Sequence, residues 1–239
     1  MNYLRLSAVA LSLTLMIGQT TNAIPNPGKS KKGKWQTLFD GKTFAGWHNY
    51  LKMGQPIGDK WAVDNEAIHF TGGRGGSDLV TDKEYGDFEL ELEWKIAEGG
   101  NSGIIYHVNE DPKYKSTYMT GPEMQVLDNE RHPDAKAGRD GNRTAGSLYD
   151  IQKPVTPNAA KPAGEWNKAR LIIKNGRGEH YLNGKKVADY PTSGPEWDAM
   201  IAESKFKGWE GFGKYQTGHI ALQDHGNQVW YRNIRIREL

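Results

Sequence analysis

Phe88-Glu89-Leu90-Glu91-Leu92-Glu93-Trp94-Lys95-Ile96 places an apolar side chain at every even number and a charged one at every odd number. Side chains alternate across a strand with a period of two, so the stretch reads as a β-strand with one buried and one wet face. The same grammar extends outward. Trp166 to Lys174, His180 to Leu182 and Lys185 to Tyr190 read as strands separated by Asn175-Gly176 and Asn183-Gly184. Asn-Gly is a hairpin signal because both central residues of a type I′ turn need positive φ. Near the C-terminus Ile220 and Leu222, then Trp230, Arg232, Ile234 and Ile236, repeat the alternation. Only Pro195 to Phe206 reads as helical, with Ser193 and Glu196 at capping-box spacing around Pro195.

Many short strands, glycine-rich turns and one short helix predict an all-β jelly-roll sandwich of two antiparallel sheets. In such a sandwich one row of each strand enters the core, and the other row can line a groove. Tryptophan, tyrosine and polar tips on that groove would suit sugars, whose C–H faces pack on rings while their hydroxyls need partners.

Composition removes several functions. With no cysteine among 239 residues, disulfides, Cys-ligated zinc and a cysteine nucleophile are excluded. A net charge of +2 gives no basic footprint for nucleic acid. Residues 1–23 carry a basic start, an apolar run from Leu6 to Gly18 and the small-x-Ala site Thr21-Asn22-Ala23, the pattern of a cleaved signal peptide. At 1.5 Å per residue that run is too short for a bilayer core of about 30 Å. The expectation is an exported protein, periplasmic or secreted and free of the membrane once the signal is removed. Residues 24–34, rich in Pro, Gly and Lys, read as a flexible leader, and 35–239 as one domain.

Three segments carry candidate chemistry. In Glu123-Met124-Gln125-Val126-Leu127-Asp128, Met124 and Val126 belong in the core, which turns Glu123 and Gln125 to the groove. Asp128 would rejoin them only through a bulge; Glu123 and Asp128 are either an acid/base pair or a binding residue and a turn former. In Gly218-His219-Ile220-Ala221-Leu222-Gln223-Asp224-His225-Gly226, Ile220 and Leu222 take the core, leaving His219, Gln223 and His225 outward. His225 could serve as acid, base or metal ligand, whereas His219 reads better as a hydrogen-bonded structural residue. In Asn101-Ser102-Gly103-Ile104-Ile105-Tyr106-His107, His107 could share the groove, and Gly99, Gly100 and Gly103 suggest close backbone approach. Gly72 to Gly76 lacks the strand-and-helix context of a nucleotide loop.

Taken with Leu38-Phe39-Asp40-Gly41-Lys42-Thr43, Gly46-Trp47, Gly86-Asp87-Phe88, Gly146-Ser147-Leu148-Tyr149-Asp150 and Gly164-Glu165-Trp166-Asn167, these segments resemble the 3-keto-disaccharide hydrolase domain family from about Trp35 to Leu239. The resemblance implies a concanavalin A-like lectin/glucanase fold and cleavage of glycosides already oxidised to a ketone at C3. Such a ketone acidifies the C2 proton, so one base can start β-elimination of the C1 leaving group, and water then adds to the enone. On this reading Glu123 and His225 share the roles of catalytic base and acid, either one serving as the base. Gln125, Gln223, His107 and Asp128 contact substrate, and a divalent metal on Glu123 and His225 is an alternative way to polarise the ketone. A separate sugar 3-dehydrogenase would supply the ketone, as no nicotinamide-binding signature is present. The Glu-x-Gln-x-x-Asp pattern is also similar to the Glu-x-Asp-x-x-Glu strand of β-glucanases. Gln125 and Asp128 depart from that strand where a two-carboxylate mechanism needs acids. A conventional glucanase and a non-catalytic carbohydrate-binding module remain as alternatives.

Overall fold

The computed structural model describes residues 33–239. The expected signal peptide and residues 24–32 of the expected leader lie outside the described residues. Gly33, at the end of that leader, donates its N–H to the Glu238 carbonyl at 2.7 Å. No helix among the described residues is long and apolar enough to cross a membrane.

In chain order the strands are β1 Gln36–Thr37, β2 Trp47–Asn49, β3 Trp61–Asp64, β4 Ala67–Phe70, β5 Leu79–Thr81, β6 Phe88–Ile96 and β7 Asn101–Val108. They continue with β8 Glu123–Leu127, β9 Asn167–Lys174, β10 Arg177–Leu182, β11 Lys185–Pro191, β12 His219–Leu222 and β13 Val229–Glu238, with one α-helix, α1 Pro195–Ala202. The larger sheet runs β11-β10-β9-β6-β13-β4-β3, with β1 added on β13, and the smaller runs β2-β5-β12-β7-β8. All pairings are antiparallel. Distant strands such as β5 and β12 lie side by side, as a jelly-roll sandwich requires.

The core forms where the buried rows of the two sheets meet. Phe88, Leu90, Leu92, Trp94 and Ile96 of β6 join one apolar cluster with Ile104, Tyr106, Met124, Val126, Ile220 and Leu222 of the smaller sheet. The charged row of β6 forms an ion-pair ladder. Glu89, Glu91 and Glu93 stand opposite Arg237, Arg235 and Arg232 of β13. Glu89 is almost completely buried, accepting from Arg170 Nε at 2.6 Å and Arg237 Nε at 2.7 Å. Burial opposes its ionisation, but the two guanidinium groups outweigh that and hold its pKa below the ordinary value.

Asn175, Gly176, Asn183 and Gly184 all have positive φ, so both hairpins turn as their sequence predicts. Two expectations change. Gly194, at φ 86°, precedes the helix without a side-chain cap, so Ser193 makes no capping box, and the helix stops at Ala202 rather than Phe206. In β13 a register shift lies between Arg232 and Arg235, with Asn233 at φ 53°. The extra residue moves the buried row from Val229 and Tyr231 to Ile234 and Ile236, so Trp230 and Arg232 do not share the face of the two isoleucines.

Glu89→Ala would leave two guanidinium groups facing each other without their buried acceptor. The expected loss is about 3–5 kcal/mol, read as a lower urea midpoint at unchanged m-value.

Candidate active site

Strand β8 divides its side chains as the alternation requires. Met124 and Val126 enter the core, while Glu123 and Gln125 line a cavity of about 250 Å³ on the other face. Glu123 lies across β7, where Gly103 makes the space: a Cβ at that position would stand 2.1 Å from Glu123 Oε1. Among the described residues nothing hydrogen-bonds the Glu123 carboxyl, although the residue is only 5% exposed. Burial therefore pushes it up to about 8. Lys205 opposes the shift, and the Asp78 and Asp134 carboxylates add to it.

From the segment just after β12 come Gln223 and His225, which line the same cavity. The structure thus brings the 123–125 and 223–225 segments together at one place. Gln125 Oε1 accepts from the Val126 N–H at 3.0 Å, which leaves its NH₂ as the free end of the carboxamide. Asn101, at the start of β7, approaches His225 Nε2 at 3.5 Å through Nδ2, while its buried Oδ1 has no partner. An orphaned acceptor on a cavity wall is suited to a ligand hydroxyl.

Tyr118, Tyr149, Phe206 and Lys205 complete the lining. Lys205 is an exposed residue whose ammonium is drawn over the Tyr149 and Phe206 rings, at 4.1 and 5.1 Å. Desolvation lowers its pKa, while the Glu123 charge acts in the opposite direction. A polar frame behind the cavity sets both groups. Arg143 joins Asp134 at 2.9 Å to Asp150 at 3.1 Å. Asp134 accepts the Tyr149 hydroxyl at 2.8 Å, and Asp150 accepts the Lys205 N–H at 3.0 Å.

Two expected substrate contacts lie elsewhere. His107 has φ 53°, at the irregularity where β7 and β12 shift register. That residue turns its ring against Phe88 and Tyr106, with Nε2 on the Gly86 carbonyl at 3.0 Å, and Val108 takes the outer face instead. Asp128 is buried in a turn, accepting N–H bonds from Gly99 at 2.8 Å, Glu130 at 3.1 Å and Arg131 at 3.4 Å. Burial works against its ionisation, but these donors prevail and hold its pKa low. Asp128 is a turn former and does not line the cavity. His219 is also away from it, buried with Nδ1 on the Thr81 carbonyl at 2.6 Å.

Among the described residues no three His, Cys, Asp or Glu side chains are grouped to hold a metal ion. Glu123 and His225 could supply two ligands, and the carboxamides of Asn101, Gln125 and Gln223 are the further donors on the same walls.

Residues 34–237 match the family described as the 3-keto-alpha-glucoside-1,2-lyase-like domain. The chain belongs to that family. It is 41% identical over 228 residues to the 3-keto-disaccharide hydrolase of Bacteroides thetaiotaomicron, covering 85% of this chain and 78% of the relative. It is similar to the crystal structure of a protein provisionally assigned as a glycosyl hydrolase from Parabacteroides distasonis, at TM-score 0.78 and 34% identity, covering 87% and 94% of the two chains. A second Parabacteroides distasonis structure with the same provisional assignment shares the fold at TM-score 0.64 and 24% identity, covering 86% and 100%.

For this member of the 3-keto-alpha-glucoside-1,2-lyase-like family, periodicity alone did not single out Asn101, Tyr118, Tyr149, Lys205 or Phe206 as cavity residues. Asn101 and Tyr149 stand in segments that carried the family resemblance, which was the available signal. Lys205 and Phe206 reach the cavity from the turns after α1 and had none.

The burial of Glu123 has a measurable signature. The unfolded chain ionises this carboxyl near 4.5, the folded protein near 8. Its cost to folding is therefore absent below pH 4.5, grows across that window and is complete above 8. Glu123→Gln should melt at a higher temperature than wild type at about pH 9 and at the same temperature at about pH 5, read by calorimetry.

Proposed function

We propose that this enzyme cleaves the glycosidic bond of glycosides carrying a ketone at C3, by C2-proton abstraction, β-elimination and addition of water. The observation that carries the reading is that Glu123 is the one carboxyl group, among the described residues, lining the cavity it shares with Gln125, Gln223 and His225. A retaining or inverting glycosidase needs two carboxyl groups flanking the bond. Elimination beside a ketone needs a single base. A binding module would gain nothing from an unpartnered buried carboxyl, which costs stability whenever it ionises.

The chemistry follows from the walls of the cavity. Glu123 takes the C2 proton, and the electron pair of that C–H bond moves into the C2–C3 bond as the ketone becomes an enolate. A pKa near 8 makes Glu123 a stronger base than an ordinary carboxylate while leaving it ionisable close to neutrality. The enolate oxygen is stabilised by the Lys205 ammonium and by the free NH₂ groups of Gln125 and Gln223. When the enolate collapses, the C1–O bond breaks and His225 protonates the departing oxygen. Water then adds at C1 of the enone, giving a proton to His225 and so restoring it, and Glu123 returns its proton to C2. Asn101 Oδ1 accepts a sugar hydroxyl.

The family match and the relative's name, 3-keto-disaccharide hydrolase, support the substrate class. On this reading a separate sugar 3-dehydrogenase supplies the ketone. Residues 1–23 direct export, so mass spectrometry of protein from the periplasm or medium should find a chain beginning near Ile24.

Side-by-side incubation of a glucoside and its 3-keto analogue, with and without chelator, tests the reaction. Release from the keto form alone is expected; release from both would instead indicate a conventional hydrolase. Binding without release would indicate a carbohydrate-binding module. Glu123→Gln should lower turnover of the keto substrate by about 10²–10⁴-fold while remaining folded. Because the ionised form of Glu123 is the base, kcat/KM should climb with pH and level off above about 8. A rate that falls through that range would make Glu123 the acid.

A further inference from the structure

His225 is exposed, and Asn101 Nδ2 approaches its ring only to 3.5 Å. Its place at the cavity is set through the backbone. Strand β12 ends at Leu222, opposite Leu79 of β5. Immediately beyond, side chains take over from the ladder. Ser102 Oγ donates to the Gln223 carbonyl at 2.6 Å, and Asp78 Oδ1 accepts the Asp224 N–H at 2.8 Å. The peptide joining Gln223 to Asp224 is thus gripped at both edges. Asp224 Oδ1 in turn accepts the Gly226 N–H at 2.8 Å, closing a turn around His225. Gly76 permits the close approach: a Cβ there would stand 2.2 Å from Asp224 Oδ2. Asp78 is itself fixed. The Ser77 carbonyl before it accepts from Trp61 Nε1 at 2.7 Å and Asn49 Nδ2 at 3.3 Å, and its own carbonyl accepts the Tyr50 N–H at 2.9 Å. Its second carboxylate oxygen accepts the hydroxyl of Thr117, the neighbour of Tyr118 in the cavity lining.

We infer that Asp78 is a positioning residue, which holds Gln223 and His225 on the wall of the Glu123 cavity by gripping the Asp224 N–H between them. The assignment rests on the function proposed above, in which His225 protonates the departing oxygen. Proton transfer requires heavy atoms about 2.6–3.2 Å apart, and a misplacement of about 1 Å can cost about 10²-fold in rate. An exposed ring on a loose backbone would not meet that tolerance. The Asp78 carboxylate acts in two separable ways. Its charge contributes to the raised pKa of Glu123, and its oxygens accept two hydrogen bonds. Asparagine removes the charge but keeps an acceptor for the Asp224 N–H, while its NH₂ can donate to Thr117 Oγ, since a hydroxyl accepts as well as donates. Alanine removes both charge and acceptor.

The test reads the proton that His225 delivers. A 4-nitrophenolate leaves without one, whereas a methoxide needs it. The measurement is the ratio of kcat/KM for 4-nitrophenyl 3-keto-α-glucoside to that for methyl 3-keto-α-glucoside, corrected for uncatalysed release. It is made in wild type, Asp78→Ala and Asp78→Asn, with melting temperature as the check on folding. Asp78→Ser, whose hydroxyl is too short to reach the Asp224 N–H, replaces the alanine variant should that one not fold. The ratio should rise by about 10-fold or more in Asp78→Ala, because only the methyl substrate depends on the acid. In Asp78→Asn it should stay near the wild-type value. An unchanged ratio in Asp78→Ala, even if both rates drop together, overturns the assignment, and so does an equal rise in Asp78→Asn. Failure of the reaction itself is read separately, as wild-type protein that cleaves neither keto substrate. In that event amide hydrogen exchange decides the grip. An Asp224 N–H protected in wild type and Asp78→Asn but exchanging quickly in Asp78→Ala upholds it; equal exchange in all three overturns it.

Discussion

A β-strand has two faces, and each strand of the smaller sheet must give one of them to the core. Met124, Val126, Ile104, Ile220 and Leu222 do so, packing against the even-numbered row of β6. Everything at the candidate site follows from where that leaves the alternate residues. Glu123, Gln125 and Gln223 are placed on one outer surface because their neighbours are committed to the interior. Over the rest of that surface Tyr50, Val80, Ile105, Val108 and Ala221 form a small apolar cluster. The polar cavity is therefore a local opening beside a second patch of core.

The electrostatics of the opening depend on what is missing around Glu123. Gly103 removes the side chain that would occupy the carboxyl's position, and no donor replaces it. A buried carboxyl without donors favours its neutral form, in contrast to Glu89 and Asp128, which are equally buried but surrounded by N–H groups. Three acids of similar exposure thus have pKa shifts of different sign: Glu123 upward, Glu89 and Asp128 downward. The difference lies in the N–H donors and guanidinium charges around Glu89 and Asp128 and in the deeper desolvation of Glu123, since burial by itself raises all three.

Much of the fold was legible along the chain because alternation is a local property. The β6 strand, the two Asn-Gly hairpins and the core rows of β8 and β12 needed only neighbouring residues to be read. The site was legible where it lay on such strands or continued their alternation, as for Glu123 and Gln125 on β8 and for Gln223 and His225 just beyond β12. It failed where the backbone leaves the strand conformation. A positive φ at His107 swings the ring toward Phe88, and one at Asn233 shifts the buried row of β13. Asn and His are enriched at positive φ, but neither stands in a turn motif such as Asn-Gly that would mark the position along the chain.

The sequence by itself determined the class of fold, the interior face of each long strand and the pairing of Glu123 with Gln125 on one side. These depend on a period of two and on turn chemistry, both of which act over a few residues. Only the tertiary structure decided that Lys205 and Tyr149 meet Glu123, that Asp128 is consumed by a turn, and that Asp78 grips the backbone beside His225. Those facts depend on contacts between segments separated by tens of residues. Such contacts come from how the sheets and loops pack, and local periodicity carries no record of them.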